Sequence, residues 1–403
     1  MIDFPPQITA PELKILLLGS RCALPAAATV TLKGLLVEDL NWHFLLEEAG
    51  RHGVLPLLYA SLRAEGLFEN LPVPVRATFI EAAQLRAHRN LSKASELVRI
   101  LRAFAAKDIA ALPFKGPVVA LAAYGSIAMR DFSDLDILVD YNSFAAARNA
   151  LSDLGYRPKS NFSAANERDL LRTECALQLH HANPDYLVEL HWRFSERNAS
   201  VELPVRELLE RSHCIPFFGV TIATLSTEDL VLYLCMHGSK HQWDRLEWIA
   251  YVAELVRRNP GIDWDLLFTR ARRYNVLRVV HLGLSLTAEL LHFALPSEVA
   301  TQVNADEEVG SLVNWVIAGL FSESSGPHYQ KRAMRYVFQL RSRERWLDRF
   351  RILLYSVVRP PHPEAHEWLD LPPRLAFLHH VFRPVRLLRE FGAIAWRHYL
   401  RAK

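Results

Sequence analysis

The stretch that decides the fold is FKGPVVALAAYGSIAMRDFSDLDILVD, residues 114–140. The apolar run that leads into it, residues 109–114, predicts a short buried strand that stops at Lys115-Gly116. Pro117 can then open a helix that continues to Tyr124, because proline is tolerated at a first helical position. After a loop, residues 133–139 alternate in the way expected of a second strand. The stretch therefore predicts a strand, a helix and another strand.

Two carboxylates lie on one face of this second strand. Asp134 and Asp136 are two residues apart, so their side chains project from the same face. Leu135, Ile137 and Val139 point the other way, into a core. Two neighbouring carboxylates repel each other unless a cation lies between them. Magnesium suits such a site, because it takes hard oxygen ligands and leaves room for substrate phosphates.

A third carboxylate is expected on a neighbouring strand. Residues 186–192, YLVELHW, predict a strand with Glu189 at its centre, and residues 176–181 predict its hairpin partner. The turn between them is Asn183-Pro184-Asp185, which has typical turn chemistry. We expect this hairpin to place Glu189 beside the Asp pair, with His191 as a partner of the carboxylates. A histidine–metal site with His180 and His181 is the alternative.

The end of the first strand offers a place for phosphates. Gly116 permits close approach of the backbone, so free N–H groups and Lys115 can face a phosphate there. Arg130 follows fourteen residues after Gly116, shortly before the Asp pair. These groups predict a phosphate site next to a metal site.

Taken together, these features resemble the nucleotidyltransferase superfamily with a polymerase-β-like palm, and more closely its branch of uncharacterised nucleotidyltransferases. The resemblance extends to three further stretches: His52-Gly53-Val54-Leu55-Pro56 with His43 before it, His237-Gly238-Ser239-Lys240-His241 with Trp243, and Arg383-Pro384-Val385-Arg386-Leu387-Leu388. It implies an α+β fold, in which a polymerase-β-like nucleotidyltransferase palm with a small mixed sheet is embedded in a mainly helical chain.

The resemblance also implies an activity and roles for single residues. The activity is metal-dependent transfer of a nucleotidyl group, with Asp134, Asp136 and Glu189 as catalytic residues and metal ligands. The cofactor would be Mg²⁺ or Mn²⁺, and the first substrate a nucleoside triphosphate, for example ATP. Lys115, Gly116 and Arg130 would lie near its triphosphate.

Two positions depart from the pattern of the superfamily. The phosphate turn usually contains Gly-Gly or Gly-Ser, whereas this chain has Gly116-Pro117, which removes one backbone N–H donor. Relatives also often carry an aspartate where this chain has Tyr251. Both differences concern the level of activity more than the fold.

A helix that begins near Thr227 places three further candidates on one face. His237, Lys240 and His241 are spaced i, i+3 and i+4, and matching residues recur in the relatives. We expect this face to bind the triphosphate or the base of the nucleotide. The alternative is an ordinary solvated helix face.

The composition is that of an ordinary soluble protein: half of the residues are hydrophobic, 23% are charged and the net charge is +3. No apolar run reaches the roughly 18 residues of a membrane span. The first residues lack the features of a secretory signal, so we expect the protein in the cytoplasm. The four cysteines have no CxxC spacing, which favours buried free thiols over a zinc site.

We expect four regions: helical residues 1–104, the palm at 105–195, a second helical region at 196–330 and a basic helical region at 331–403. The last contains sixteen Lys or Arg and six Asp or Glu. Residues 341–351 within it predict a basic amphipathic helix, and Pro372 begins a second helix. Such helices can bind RNA or a membrane surface, although they are more often a solvated outer face.

The acceptor of the nucleotidyl group divides the functional hypotheses. A toxin-like transferase that modifies transfer RNA would suit the basic C-terminal region, and charge reversal at Arg343, Arg345 and Arg349 would test it. A small molecule or a peptide is an equal alternative. A catalytically silent nucleotide-binding module is a third hypothesis, which Gly116-Pro117 favours. For the enzyme, Asp136→Asn is expected to abolish transfer while leaving the thermal midpoint unchanged or raised.

Overall fold

The computed structural model describes residues 2–159, 170–194, 201, 203–322 and 328–358, with the backbone only for 328–333 and 355–358. Its helices include α1 (Pro11–Gly19), α2 (Ala26–Leu35), α3 (Trp42–Arg51), α4 (Leu55–Ala64), α5 (Val73–Ala105), α6 (Pro117–Tyr124), α7 (Phe144–Asp153), α8 (Val205–Glu210), α9 (Thr227–Lys240), α10 (Leu246–Arg258), α11 (Trp264–Arg273), α12 (Leu277–Leu291), α13 (Ser297–Asn304), α14 (Glu307–Leu320), α15 (His328–Arg341) and α16 (Trp346–Val358). The strands are β1 (Ala111–Pro113), β2 (Leu135–Val139), β3 (Arg157–Pro158), β4 (Ala176–His180), β5 (Leu187–His191), β6 (His213–Phe217) and β7 (Val220–Thr224).

The first five strands form one mixed sheet in the order β1-β2-β5-β4-β3. β2 and β5 run parallel, while the other neighbouring pairs are antiparallel. The predicted strand–helix–strand stretch is confirmed, and Pro117 is the first residue of α6. The predicted hairpin of β4 and β5 is also confirmed. This small sheet within a largely helical chain is the expected α+β architecture.

The two faces of β2 are buried against different partners. Leu135, Ile137 and Val139 belong to a core formed with the C-terminal half of α5 and with α7. Leu138, on the face of Asp136, belongs to a larger core built mainly from helices. A strand covered on both faces keeps a fixed register, because a slip of one residue would exchange its two faces.

The middle of α5 contributes buried polar side chains. Leu85 and Leu91 are each about half exposed. The buried positions of this part of α5 are instead Arg86, Asn90 and Lys93. This middle part of α5 meets the loop before β2 through polar side chains, whereas the C-terminal half of the helix packs apolar residues against the sheet.

Two predictions for the later chain were wrong. Residues 196–330 were expected to be a helical region, but β6 and β7 form an antiparallel hairpin within them. The hairpin packs beside β1, where the Thr224 hydroxyl donates a hydrogen bond to the Pro113 carbonyl at 2.8 Å. The basic helix expected at residues 341–351 is divided between the end of α15 and the start of α16. The helix expected from Pro372 lies outside the described residues.

Candidate active site

Sheet register places two of the three predicted carboxylates side by side. Asp136 on β2 and Glu189 on β5 are paired residues of adjacent parallel strands. Asp134 was expected on the same strand as Asp136, but β2 begins at Leu135 and Asp134 immediately precedes it. Asp136 is 3% exposed, whereas Asp134 and Glu189 are partly exposed. The arrangement combines one buried carboxylate with two that solvent can reach.

Two cationic side chains surround Asp136. The Lys115 ammonium donates a hydrogen bond to Asp136 Oδ1 at 2.6 Å, and His191 Nε2 lies 3.0 Å from the same oxygen. Burial opposes ionisation of Asp136, but Lys115 and His191 outweigh it and hold the carboxyl pKa below its usual range. Burial likewise opposes the imidazolium, but its bonds to Asp136 and Glu189 raise the pKa of His191 to about 10. The predicted position of His191 beside the carboxylates is therefore observed.

These contacts reverse the expectation for the stability of Asp136→Asn. The prediction assumed that repulsion between carboxylates dominates at Asp136, so that removing its charge would not destabilise the fold. Lys115 and His191 instead compensate this charge, and asparagine would leave both cations without it. Burying an unpaired charge is costly, so the variant is expected to be less stable.

The residues present fit a divalent cation. Asp136, Glu189 and His191 each carry a possible ligand atom, and these atoms lie within 4.8 Å of one another, but His191 could bind a cation only after it loses its proton. Asp136 Oδ2 is buried and has no hydrogen-bond partner. Such an oxygen is costly to bury unless something binds it, and a carboxylate oxygen is a ligand that magnesium prefers. Asp134 is not part of this group of three. Burial, together with the charges of Asp136 and Glu189, raises its pKa.

The turn after β1 has a shape that requires glycine. Gly116 has φ = 54° and ψ = −126°, and a Cβ there would lie 3.3 Å from the Asp134 carbonyl oxygen. Arg130 Nη1 donates a hydrogen bond to the Gly116 carbonyl at 3.2 Å. Lys115, Gly116 and Arg130 are thus brought together around the carboxylates, as predicted. Lys115 already contacts Asp136, and Arg130 already contacts the Gly116 carbonyl.

The predicted face of α9 lies near these groups and is held by aromatic contacts. The ring centres of His237 and His241 are 4.8 Å apart, and Trp248 contacts both rings at 5.5 and 5.0 Å. Burial and then the charge of Lys115 lower the pKa of His237 well below its ordinary value. Burial and then Lys240 lower the pKa of His241 to about 4. Both imidazoles are therefore neutral at neutral pH, while Lys240 is exposed.

Sequence reasoning missed the residues that order the loop before the Asp pair. Asn90 Nδ2 donates hydrogen bonds to the carbonyls of Ile127 and Arg130, at 2.6 and 2.7 Å. The Lys93 ammonium donates to the Phe132 carbonyl at 3.0 Å. The available signal was the i, i+4, i+7 spacing of Arg86, Asn90 and Lys93.

A second missed residue comes from α15. Gln339 donates a hydrogen bond from Nε2 to the Ser239 carbonyl at 2.7 Å, which holds α15 against the end of α9. Arg335 lies one turn earlier on the same face of α15, and its side chain is exposed. Its charge contributes to the low pKa of His241. α15 therefore adds a cation next to the histidine face.

One of the three arginines proposed for RNA binding is poorly placed for it. Arg343 is 7% exposed, and burial lowers its pKa to about 10. Arg345 is exposed and donates a hydrogen bond to the Asn275 side chain at 3.1 Å. Charge reversal at Arg343 would therefore disturb the fold, so only Arg345 and Arg349 suit such a test.

Comparison with known proteins adds one finding. A family model described as an uncharacterised nucleotidyltransferase matches residues 38–292. The match includes the sheet, the hairpin of β6 and β7, and α9 and α10, whereas α13 to α16 lie outside it. The stretch that begins at Arg383 lies outside both the match and the described residues. Comparisons with characterised proteins and with solved structures gave no match. In the described residues, no helix is long and apolar enough to cross a membrane.

Proposed function

Because the chain belongs to the family of uncharacterised nucleotidyltransferases, we propose that it transfers a nucleoside monophosphate from a nucleoside triphosphate to an acceptor and releases pyrophosphate. The family match supports nucleotidyl transfer in general. The proposal adds the metal, Mg²⁺ or Mn²⁺, and its ligands Asp134, Asp136 and Glu189. An acceptor oxygen attacks the α-phosphorus, the bond from that phosphorus to the pyrophosphate oxygen breaks, and the proton of the acceptor passes to one of the three carboxylates.

The observation that carries this proposal is the pairing of Asp136 with Glu189 across parallel strands. The pairing puts two carboxylates at a fixed spacing, and Asp134 lies two residues before Asp136, immediately ahead of β2. The buried, unpartnered Oδ2 of Asp136 supports a bound cation at this place. A divalent cation held there would neutralise the phosphates and activate the attacking oxygen.

The chain's own cations have two tasks in this proposal. Lys115 keeps the Asp136 carboxylate ionised, and so available as a ligand, through the 2.6 Å contact between them. Arg130 remains partly exposed while it holds the Gly116 carbonyl, so its charge stays close to the leaving phosphates. Gly116 lets the backbone approach those phosphates closely.

The face of α9 is proposed to bind the nucleotide beyond its α-phosphate. His237 and His241 are neutral donors or acceptors because of their lowered pKa values, and Lys240 adds an exposed positive charge. These neutral imidazoles and the neighbouring ammonium group can bind a phosphate chain or the edge of a base without adding a large positive charge to the site. Arg335 would add a second exposed cation to this face.

The proposal is tested by supplying the purified full-length chain with each radiolabelled nucleoside triphosphate, Mg²⁺ or Mn²⁺, and fractionated cell extract. Metal-dependent movement of label onto RNA, protein or a small molecule supports the proposal and reveals the class of acceptor. Loss of transfer in Asp134→Asn and Asp136→Asn ties the activity to the proposed ligands. Transfer that persists in both variants would overturn the assignment of the site.

A second candidate is a nucleotide-binding module without transfer activity. The observation that favours it is Pro117 at the first position of α6, where a backbone N–H donor to phosphate is missing. Tight binding of nucleotide and metal, with no pyrophosphate release in any extract fraction, would support this candidate. Gain of transfer in Pro117→Ser would identify the missing donor as the cause.

A further inference from the structure

The stretch His52-Gly53-Val54-Leu55-Pro56 has no role in the proposed reaction, yet it packs closely against α10. Gly53 has φ = +70°, and a Cβ built on it would lie 2.5 Å from the carboxyl carbon of Glu247. The backbone N–H of Glu247 donates a hydrogen bond to the His52 carbonyl at 3.1 Å. A side chain at residue 53 would therefore collide with Glu247, and glycine leaves the room that this carboxylate occupies.

Glu247 is a buried carboxylate that holds an aromatic ring in place. It is 5% exposed and forms an ion pair with Arg245 Nη1 at 2.9 Å. One helical turn later on α10, the hydroxyl of Tyr251 donates a hydrogen bond to Glu247 Oε2. Tyr251 is 2% exposed, so its ring has little freedom to move. The position of Glu247 thus sets the position of the Tyr251 ring.

The Tyr251 ring in turn supports Arg130. The guanidinium carbon of Arg130 lies 4.5 Å from the ring centre, which is close contact for a cation over an aromatic face. On its other side, the guanidinium donates the hydrogen bond to the Gly116 carbonyl. Gly116 packs against the backbone of Asp134. An unbroken series of contacts therefore runs from Gly53 to the turn beside the carboxylates.

We infer that Glu247 and Tyr251 are positioning residues, which hold Arg130 against the Gly116 carbonyl and so fix the turn that receives the phosphates of the nucleotide. Gly53 provides the space that this arrangement needs. The inference rests on the proposed function and gives the N-terminal helical region a part in the active site. A tight turn that is held in place loses less freedom when the phosphates bind, so its support is expected to increase nucleotide affinity.

The test compares two glycines that have nearly the same φ angle. Gly66 has φ = +66°, and a Cβ on it would meet nothing within 4 Å, whereas the Cβ on Gly53 would meet Glu247. Both Gly53→Ala and Gly66→Ala carry the strain of a positive φ, so both are expected to lower the thermal midpoint. Only Gly53→Ala is expected to weaken binding of ATP, by about tenfold, in calorimetry with Mg²⁺ and the full chain. Equal ATP affinity in the two variants would overturn the inference.

Tyr251 provides a second test that does not depend on the folding of the Gly53 variant. Tyr251→Phe keeps the ring under Arg130 but loses the bond to Glu247, and about a threefold loss of ATP affinity is expected. Tyr251→Leu loses the ring as well, and the expected loss is about tenfold, with KM rising more than kcat falls. A Tyr251→Leu protein with the ATP affinity of the wild type would overturn the inference. A wild-type chain that neither binds nor transfers any nucleotide would overturn the proposed function itself.

Discussion

The two groups of predicted site residues are held in different ways. Asp136 and Glu189 lie on adjacent parallel strands, where backbone pairing fixes their spacing and neighbouring cations compensate their charge. His237 and His241 lie on a helix, where ring contacts with Trp248 hold them, and burial and then nearby positive charges lower their pKa values and keep them neutral. The strand group therefore presents charged side chains, whereas the helix group presents neutral side chains. If this contrast is correct, variants in the two groups should affect different quantities.

The largest effect is expected from Asp136→Asn, because it removes a carboxylate from the strand group. Transfer should fall about 1,000-fold, as is typical when one preorganised electrostatic group is lost. The free energy of unfolding in EDTA should fall by about 3 kcal/mol, since Lys115 and His191 lose their buried partner. Label transfer and urea denaturation measure the two effects.

Asp153→Asn is the matched control, because Asp153 is exposed and pairs with an exposed lysine, Lys107. It should change neither transfer nor stability appreciably. An Asp136→Asn protein that is as stable as the wild type in EDTA would show that the two cations do not depend on this carboxylate.

The next largest effect is expected on the pH dependence of folding stability, and it should arise from the strand group through His191. The pKa of His191 is raised to about 10 from an ordinary 6.5, so its protonated form stabilises the fold fully below pH 6.5. This stabilisation is lost as pH rises from 6.5 through 10. Because each pKa unit corresponds to about 1.4 kcal/mol, the loss is on the order of a few kcal/mol. Urea denaturation in EDTA across this range measures it.

His191→Gln is the comparison for this pH series, since glutamine can still donate a hydrogen bond to Asp136 but does not titrate. The difference in stability between wild type and variant should shrink with rising pH. If the difference in stability between wild type and variant stays constant between pH 6.5 and 10, His191 is not held in its protonated form by the fold, contrary to the prediction.

A smaller effect is expected from the helix group. His241→Phe keeps an aromatic ring against Trp248 but removes the nitrogen atoms that can meet a nucleotide. The KM for the nucleoside triphosphate should rise about fivefold, the scale of one lost hydrogen bond, while kcat changes little. His43→Phe, at an exposed position on α3, is the control. A fall in kcat with an unchanged KM would instead place His241 in the chemical step.

The smallest effect is expected from Arg335→Gln on α15. Its exposed charge should contribute about twofold to threefold to nucleotide affinity, because solvent screens such interactions. The effect should disappear in high salt. Arg102→Gln, which removes an equally exposed arginine from α5, provides the control. Equal losses in the two variants would assign the effect to net charge alone.

Local patterns were sufficient to predict the palm. Alternation along β2 and β5, the turn at Asn183-Pro184-Asp185 and Pro117 at a helix start are all short-range signals, and each prediction is confirmed. The hairpin of β6 and β7 had such a signal as well. Gly219 follows Phe218, both have positive φ, and β-branched residues follow them. The signal was missed because the residues on both sides of this hairpin favour helix.

Long-range packing explains what the sequence did not reveal. The middle of α5 is polar where it bonds to loop carbonyls, and that loop lies about 40 positions further along the chain. The contact of Gly53 with Glu247 joins residues almost 200 positions apart. No period within a single helix reports such contacts. The compensation of Asp136 by Lys115 and His191 likewise requires three elements to meet, so the expectation from the sequence for the stability of Asp136→Asn did not include it.

The most direct test of the account follows the position of the label. The full-length chain is given a nucleoside triphosphate labelled either at the α-phosphate or at the γ-phosphate, with Mn²⁺ and the extract fraction that contains the acceptor. Nucleotidyl transfer predicts that the α-label moves to the acceptor, that the γ-label leaves as pyrophosphate, and that Asp136→Asn lowers both rates about 1,000-fold. Transfer of the γ-label to the acceptor, or an undiminished rate of transfer in Asp136→Asn, would contradict the account.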